Sequence, residues 1–118
     1  MLNPEVARRM NAILAAVRRR GIAIRVTSTY RSTSSQDRLH RAWLARGKTG
    51  LPAARPGLST HEYGVAFDAS WAPQYDKAVA DIARQHGMVW FGPKDRVHFD
   101  AFGPTKWNEL LRAVGLLL

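Results

Sequence analysis

The sequence predicts one α+β domain over residues 1–118, in which helices pack on a small, mainly antiparallel sheet. Three observations predict this class. The chain has 118 residues, which is enough for a single modest core. Apolar residues recur at helical spacing in several segments, and short segments of alternating polarity stand between them. Two of these short segments flank a four-residue turn, which is typical of an antiparallel hairpin.

The first helix begins at a clear signal. Asn3 can cap it, Pro4 suits its first position, and Gly21 ends it. One apolar stripe runs along it, formed by Val6, Met10, Ile13, Leu14 and Val17. The following "IAIRVTSTY", residues 22–30, predicts a strand, because its apolar residues Ile22, Ile24 and Val26 alternate with polar ones.

The second helix and the loop after it come next. Thr33 and Gln36 predict a capping box at the start of the helix, and Gly47 closes it. Its apolar residues are Leu39, Trp43 and Leu44. Residues 48–58, "KTGLPAARPGL", contain two prolines and two glycines and therefore predict a loop.

The rest of the chain predicts two strands, a hairpin turn and two helices. A strand passes through Asp68, and a third helix carries Tyr75, Ala78, Val79 and Ile82 and ends at Gly87. The segments "MVWF" and "RVHFD" flank "GPKD" as a hairpin. The last helix, residues 105–114, is expected to turn Trp107, Leu110, Leu111 and Val114 inward.

The charge is unevenly distributed. The formal net charge is +9, and residues 1–47 hold ten arginines against only Glu5 and Asp37. This favours an anionic partner, which could be nucleic acid, a membrane surface or an acidic cell-wall polymer; a solvated helix face is the alternative. The absence of cysteine excludes disulfides, a thiolate zinc site and a thiol nucleophile. We find neither a signal-peptide pattern nor an apolar run long enough to span a membrane.

Four residues form a candidate catalytic set. In "DRVHFD", His98 shares a strand face with Asp100, and this strand would bring it beside Asp68 if the two strands are neighbours. His61 would reach in from the turn before Asp68. Two imidazoles and one carboxylate are a common catalytic zinc set with a fourth position open for water. Asp95, three residues before His98, is placed to take a proton from that water.

These segments resemble a known family. "STHEYGVAFD", residues 59–68, fits the pattern Ser-x-His-x-x-Gly-x-Ala-x-Asp of the M15 zinc peptidases of bacterial cell walls, the VanY/VanX-like group. "TSTYRSTSSQDRLH" is similar to that family's arginine-containing segment, and "DRVHF" to its second metal motif. The resemblance implies a hedgehog/DD-peptidase-like fold and one Zn²⁺ held by His61, Asp68 and His98. It also implies that Asp95 is the base and that Arg31 contacts the substrate and stabilises its oxyanion.

The resemblance leaves the reaction open between two peptidases. The carboxypeptidase branches usually have Glu where this chain has Asp95, and Asp is typical of the endopeptidase branch, which includes many phage endolysins. We therefore expect an L-alanyl-D-glutamate endopeptidase acting on peptidoglycan stem peptides, with a D-alanyl-D-alanine carboxypeptidase as the alternative. A third possibility is a non-enzymatic basic module that binds nucleic acid or the cell wall through "ARRMNAILAAVRRR", although it has no recognised nucleic-acid fold motif.

Several expectations concern the surroundings of this enzyme. We expect a monomer without a specific nucleic-acid partner, with an anionic wall polymer as a possible second partner. We expect accumulation in the cytoplasm and release to the wall at phage lysis, or membership of a larger secreted or virion protein. Other residues are interpreted as lying outside the chemistry: Glu62 on the rim, His40 and His86 as non-ligands, Ser59 as at most a support, and Trp71, Trp90 and Phe91 more as core than as cleft.

Overall fold

A computed structural model of the chain describes residues 1–117. It contains the helices α1 (Pro4–Arg19), α2 (Thr33–Ala45), α3 (Asp76–Gln85) and α4 (Pro104–Ala113), and the strands β1 (Arg25–Ser28), β2 (Ala66–Ser70), β3 (Val89–Trp90) and β4 (His98–Asp100). Single 3₁₀ turns lie at Thr60–Tyr63, Pro73–Tyr75 and Pro93–Asp95. The predicted α+β class is confirmed. Among the helices described, none is long and apolar enough to cross a membrane.

The four strands form one antiparallel sheet in the order β1-β2-β4-β3. In the central pair, β2 and β4, Asp68 lies opposite His98 and Phe67 lies opposite Phe99. The predicted hairpin is confirmed, since β3 pairs with β4. The first strand is shorter than the predicted residues 22–30, and its register with β2 shifts between Val26 and Ser28. Such irregularities re-aim the residues that follow them, which here approach the functional site.

The hydrophobic core lies between one face of the sheet and the helices α1 and α3. Phe67 and Phe99 are both fully buried, and their rings stack with centroids 4.8 Å apart. The helices contribute the predicted stripes, of which Val6, Ile13, Leu14, Val17, Val79 and Ile82 are buried. Burial of such side chains is the main favourable contribution to folding.

The start of α1 is fixed to the turn that carries His61. The Asn3 side chain accepts hydrogen bonds from the backbone of Glu5 and Val6, as the sequence predicts. The Asn3 backbone N–H also donates to the carbonyl of Gly64, at 2.8 Å. Gly64 has φ +71°, and a Cβ there would collide with the Met1 carbonyl. The glycine is therefore needed for this close approach of the two segments.

The predicted capping box at Thr33 and Gln36 is wrong. Helix α2 is capped by Ser32, whose hydroxyl accepts from the Ser35 backbone. Gln36 is 1% exposed and uses its side chain elsewhere, as described below. A capping box does exist, but Ser59 and Glu62 form it around the 3₁₀ turn at Thr60–Tyr63. The same residue pattern, a hydroxyl followed three residues later by Glu or Gln, is present at both places, and only tertiary contacts distinguish them.

The apolar residues of α2 and α4 are less buried than their spacing predicts. Leu39 and Leu44 on α2 are exposed, and Val114 is 68% exposed because α4 ends at Ala113 and Val114 lies beyond its last turn. Leu111 is the buried residue of α4, and Trp107 is half-buried, with its indole N–H donating to the Leu58 carbonyl at 2.8 Å. These two helices border a cleft.

Candidate metal centre

Three side chains meet on the sheet face opposite the core. His98 and Asp68 are cross-strand neighbours on β4 and β2, and His61 enters from the capped 3₁₀ turn. His61 Nε2 lies 3.0 Å from Asp68 Oδ1 and 3.2 Å from His98 Nδ1, and His98 Nδ1 lies 3.0 Å from the same Asp68 oxygen. The sequence expectation that these residues come together is met in the geometry. They form a group of possible metal ligands among the described residues.

Contacts behind the two imidazoles fix which ring nitrogens face the centre. His61 Nδ1 lies 2.6 Å from the Thr29 carbonyl, which can only accept, so this nitrogen carries a proton. His98 Nε2 lies 3.2 Å from Asp100 Oδ2 and 3.2 Å from the Thr60 hydroxyl. A proton on Nε2 satisfies Asp100 and leaves the lone pair on Nδ1. In the neutral rings, lone pairs on His61 Nε2 and His98 Nδ1 therefore point at the Asp68 carboxylate.

This donor set fits a zinc ion. Three acceptors converge with no donor of their own, so the centre requires a cation or a proton. Tetrahedral zinc with bonds of about 2.0–2.2 Å has neighbouring ligand atoms roughly 3.3–3.5 Å apart. The separations of 3.0–3.2 Å here are slightly shorter. Nitrogen, nitrogen and carboxylate oxygen are also the ligands of catalytic zinc sites that keep one position for water.

The electrostatics of the centre agree with this need for positive charge. Burial raises the pKa of Asp68, but the hydrogen bonds and charges of His61 and His98 outweigh burial and hold that pKa well below its usual range. Burial lowers the pKa of His98, but the hydrogen bonds to Asp100 and Asp68 outweigh it and raise that pKa to about 9. Without a metal, the shared charge is therefore supplied by a proton on His98.

Arg31 is held beside the centre. Its guanidinium donates to Gln36 Oε1 at 2.8 Å and to Ser28 Oγ at 2.9 Å, and it lies 3.8 Å from Asp68 Oδ2. Its side chain is 16% exposed and lines the cleft. The sequence did not predict that Gln36 is part of the site, although it lies in the same segment, "TSTYRSTSSQDRLH", as Arg31. The guanidinium is thus oriented by two neutral partners and keeps its charge next to the centre.

Asp95 lies at the end of the Pro93–Asp95 turn and lines the same cleft. Among residues 1–117, its carboxylate has neither a hydrogen bond nor an ion pair, and it does not belong to the three-residue ligand group. Burial raises the pKa of Asp95, and the nearby histidines oppose this only partly. A carboxylate with a raised pKa and a free face is suited to accept a proton.

The cleft has a volume of about 540 Å³ and extends from the centre toward α2, α4 and the loop 48–58. Phe91 lines it and packs edge-on against the His98 ring at 4.4 Å, so the interpretation of Phe91 as core is incorrect. Trp71 is buried in the core as expected. Trp90 is half-buried and donates to the Arg96 carbonyl at 2.7 Å.

The remaining polar candidates have other tasks. Glu62 accepts hydrogen bonds from the backbone of Gly57 and Ser59, and Ser59 accepts from His61 N, so both shape the turn. His40 Nδ1 contacts the Ala53 carbonyl, and neither His40 nor His86 belongs to the ligand group. Asp100 was missed as a support for His98. Its position on the same strand face as His98 was the available signal.

Comparisons with known proteins agree with the resemblance in the sequence. The VanY family model, described as D-alanyl-D-alanine carboxypeptidase, matches residues 1–94. That span includes His61 and Asp68 and ends before Asp95 and His98. Among curated proteins, the chain is 29% identical over 121 residues to the peptidoglycan L-alanyl-D-glutamate endopeptidase CwlK of Bacillus subtilis (strain 168), covering 84% of this chain and 72% of CwlK.

Solved structures have the same fold. The LD-carboxypeptidase LdcB superposes with a TM-score of 0.73 at 22% identity, covering 99% of this chain and 73% of LdcB. The vancomycin-resistance D,D-pentapeptidase VanY from the VanB-type cassette, solved in complex with Zn(II), gives a TM-score of 0.71 at 18% identity, covering 98% of this chain and 80% of VanY. The predicted DD-peptidase-like fold is confirmed.

Proposed function

The chain belongs to the VanY family of peptidoglycan peptidases, and from this membership we propose that it is a zinc-dependent endopeptidase that cleaves the L-alanyl-D-glutamate bond of peptidoglycan stem peptides. The observation that carries the proposal is the convergence of His61 Nε2, His98 Nδ1 and Asp68 Oδ1, with the free carboxylate of Asp95 in the same cleft. His61, Asp68 and His98 would hold one Zn²⁺.

The proposed roles are those that the family resemblance implies, and the positions of the side chains support them. A zinc ion held there would lower the pKa of a water molecule to about 7 and polarise a carbonyl group. Asp95 accepts the proton of the attacking water and later gives it to the leaving amine. Arg31 donates to the carbonyl oxygen as negative charge develops there, and its bonds to Gln36 and Ser28 fix its direction beforehand.

Two observations favour the endopeptidase over other peptidases. CwlK, which is named as an L-alanyl-D-glutamate endopeptidase, matches most of this chain. The base position is Asp95, which resembles the endopeptidase branch. A D-alanyl-D-alanine carboxypeptidase is the second candidate, because the matching family carries that description and LdcB and VanY are carboxypeptidase-type neighbours in fold.

The test is digestion of purified peptidoglycan with and without a chelator, followed by mass spectrometry of the products. We expect muropeptides that end at L-alanine, their loss on chelation, and their return when zinc is added. Release of free D-alanine instead would identify the carboxypeptidase. Products unaffected by chelation and by His98→Ala would refute the metal mechanism. His86→Ala is the matched control, because His86 lies outside the ligand group.

The basic N-terminal half supports a second contact with the cell wall. Arg18, Arg19 and Arg20 are exposed at the end of α1. We propose that they draw the enzyme to anionic wall polymer, and that it acts as a monomer released from the cytoplasm in the manner of a phage endolysin. Co-sedimentation with wall polymer should weaken with salt. Salt-dependent DNA binding that survives chelation, without peptidoglycan cleavage, would favour the non-enzymatic alternative.

A further inference from the structure

The loop 48–58 forms one wall of the cleft and is fixed by side chains from three elements, namely α2, the 3₁₀ turn at Thr60–Tyr63 and α4. Backbone groups from Ala53 to Leu58 are bound by His40, Gln36, Glu62, Tyr63 and Trp107, at distances of 2.7–2.8 Å. Gln36 Nε2 donates to the Ala54 carbonyl, and Gln36 Oε1 accepts from the Arg31 guanidinium. The loop therefore has a defined position relative to the candidate centre, although it contains no regular secondary structure.

Arg55 lies in this loop, and its side chain takes no part in the hydrogen bonds that hold the loop in place. It is exposed and lines the cleft. Its carbonyl accepts from Leu58 N at 3.1 Å, but within residues 1–117 its guanidinium has no hydrogen bond or ion pair. By contrast, the guanidinium of Arg31 in the same cleft has two hydrogen bonds. A guanidinium with free N–H donors on a rigid backbone can bind an external anion at a low entropic cost.

The acidic residues lining the cleft lie on one side of it. They are Asp68, Asp95 and Asp100, all on β2 or the β3–β4 hairpin, and Arg31 lies beside Asp68 at this end. Arg46 and Arg55 line the end formed by α2 and the loop 48–58, and no acidic residue lines that end in the described part of the chain. A peptide in this cleft would therefore meet a cation at a site separate from the candidate centre.

We propose that Arg55 binds a carboxylate of the substrate and is a specificity-determining residue. This inference rests on the proposed function, because it takes the substrate to be a stem peptide. Such peptides carry two carboxylates besides the bond that is cut. The α-carboxylate of a γ-linked D-glutamate is on the carbon that bears the scissile nitrogen, and the C-terminal carboxylate is farther along the peptide. A guanidinium can bind either with two parallel hydrogen bonds.

The experiment compares three synthetic stem peptides on the zinc-loaded enzyme. One carries D-glutamate and a free C-terminus, one carries D-isoglutamine, and one ends in a carboxamide. We expect Arg55→Gln to lower kcat/KM for the first peptide by about 10- to 100-fold, mainly by raising KM, since a hydrogen bond to a charged group is lost. The peptide on which wild type and Arg55→Gln become equal identifies the bound carboxylate. Arg55→Lys should recover only part of the loss.

Two controls keep the outcomes distinct. Arg20→Gln, on the exposed end of α1, should leave all three peptides unaffected. Affinity is also measured by calorimetry with the Asp95→Asn protein, so that the subsite is tested without hydrolysis. Equal affinities and equal rates with and without Arg55 would overturn the subsite while leaving the peptidase intact. Binding that depends on Arg55, in a wild-type protein that cleaves none of the peptides, would instead support the subsite and refute the proposed function.

Discussion

The two faces of the strands β2 and β4 are built from alternating residues of the same short segments, yet one face is apolar and the other is polar and ionisable. One face carries Phe67 and Phe99, which are fully buried and stacked. The other carries Asp68, His98 and Asp100, of which Asp100 is also fully buried. The first face joins the hydrophobic core, and the second forms the floor of the cleft.

The apolar face stabilises the fold, whereas the polar face forms the candidate site. Burying an aromatic ring gains free energy directly. Burying carboxylates and imidazoles costs free energy, which their mutual hydrogen bonds offset only in part. The polar face is therefore poorly explained as a source of stability, and well explained as a site that a cation completes.

The largest effect is expected from removing a ligand on the polar face. His61→Ala or His98→Ala should abolish hydrolysis and weaken zinc affinity by more than about 100-fold, since even residues behind the ligands contribute 10- to 100-fold. Zinc content by atomic absorption and single-turnover cleavage measure this. Stoichiometric zinc in the double variant would disprove the ligand assignment.

Asp95→Asn should separate chemistry from metal binding. The amide is nearly isosteric, and the three candidate ligands are unchanged, so the protein should fold and keep its zinc. Hydrolysis should fall by roughly 10²–10⁴-fold, the usual contribution of a positioned acid–base group. Cleavage near the wild-type rate would remove Asp95 from the mechanism, and loss of zinc would make it a ligand.

On the apolar face, Phe67→Ala should reduce the free energy of unfolding by about 3–5 kcal/mol, because it leaves a cavity beside Phe99. Urea denaturation of the metal-free protein is the measurement, with His98→Ala measured in parallel. His98→Ala should also destabilise the metal-free protein, because it leaves the carboxylates of Asp68 and Asp100 without this partner. Added zinc distinguishes the two faces: it should stabilise Phe67→Ala, which keeps the three candidate ligands, but not His98→Ala. Equal stabilisation of both variants by zinc would contradict this contrast between the faces.

Asp100→Asn tests the support behind His98. The backbone N–H groups of Phe102 and Gly103 donate to Asp100 Oδ1, so an asparagine that keeps these bonds turns its NH₂ toward His98 Nε2. The favoured His98 tautomer is then lost, and zinc affinity should fall by about 10- to 100-fold. Asp81→Asn, on the surface of α3, is the control. Unchanged zinc affinity would show that Asp100 does not position the ring.

The smallest effect, taken per pH unit, is expected from the proton on His98. Because the pKa of His98 is raised to about 9, zinc must displace a proton from this ring at neutral pH. Apparent affinity should rise about tenfold per pH unit and level off near the raised pKa. Chelator competition at several pH values measures the slope, and a flat profile would contradict the shift. The stabilisation that protonated His98 gives the metal-free protein should be lost as pH rises through about 9.

Local signals in the sequence were enough for most elements and for the positions that meet at the centre. Asn3 and Pro4 defined the start of α1, and alternation placed Asp68 and His98 on one face. Long-range contacts were not accessible in this way. The bonds of Gln36 to Arg31 and to the Ala54 carbonyl join residues whose proximity depends on the completed fold. For the same reason, the capping box was assigned to the wrong segment.

The pairing of Asp68 with His98 across β2 and β4 also has a consequence for folding. A slip of one residue between these strands would exchange the two faces, burying charge in the core and exposing Phe99 to water. A misregistered chain could not assemble the three-residue ligand group. Acquisition of metal during refolding would thus report native strand pairing, and a potentially harmful hydrolase would stay inactive until its sheet is correctly formed.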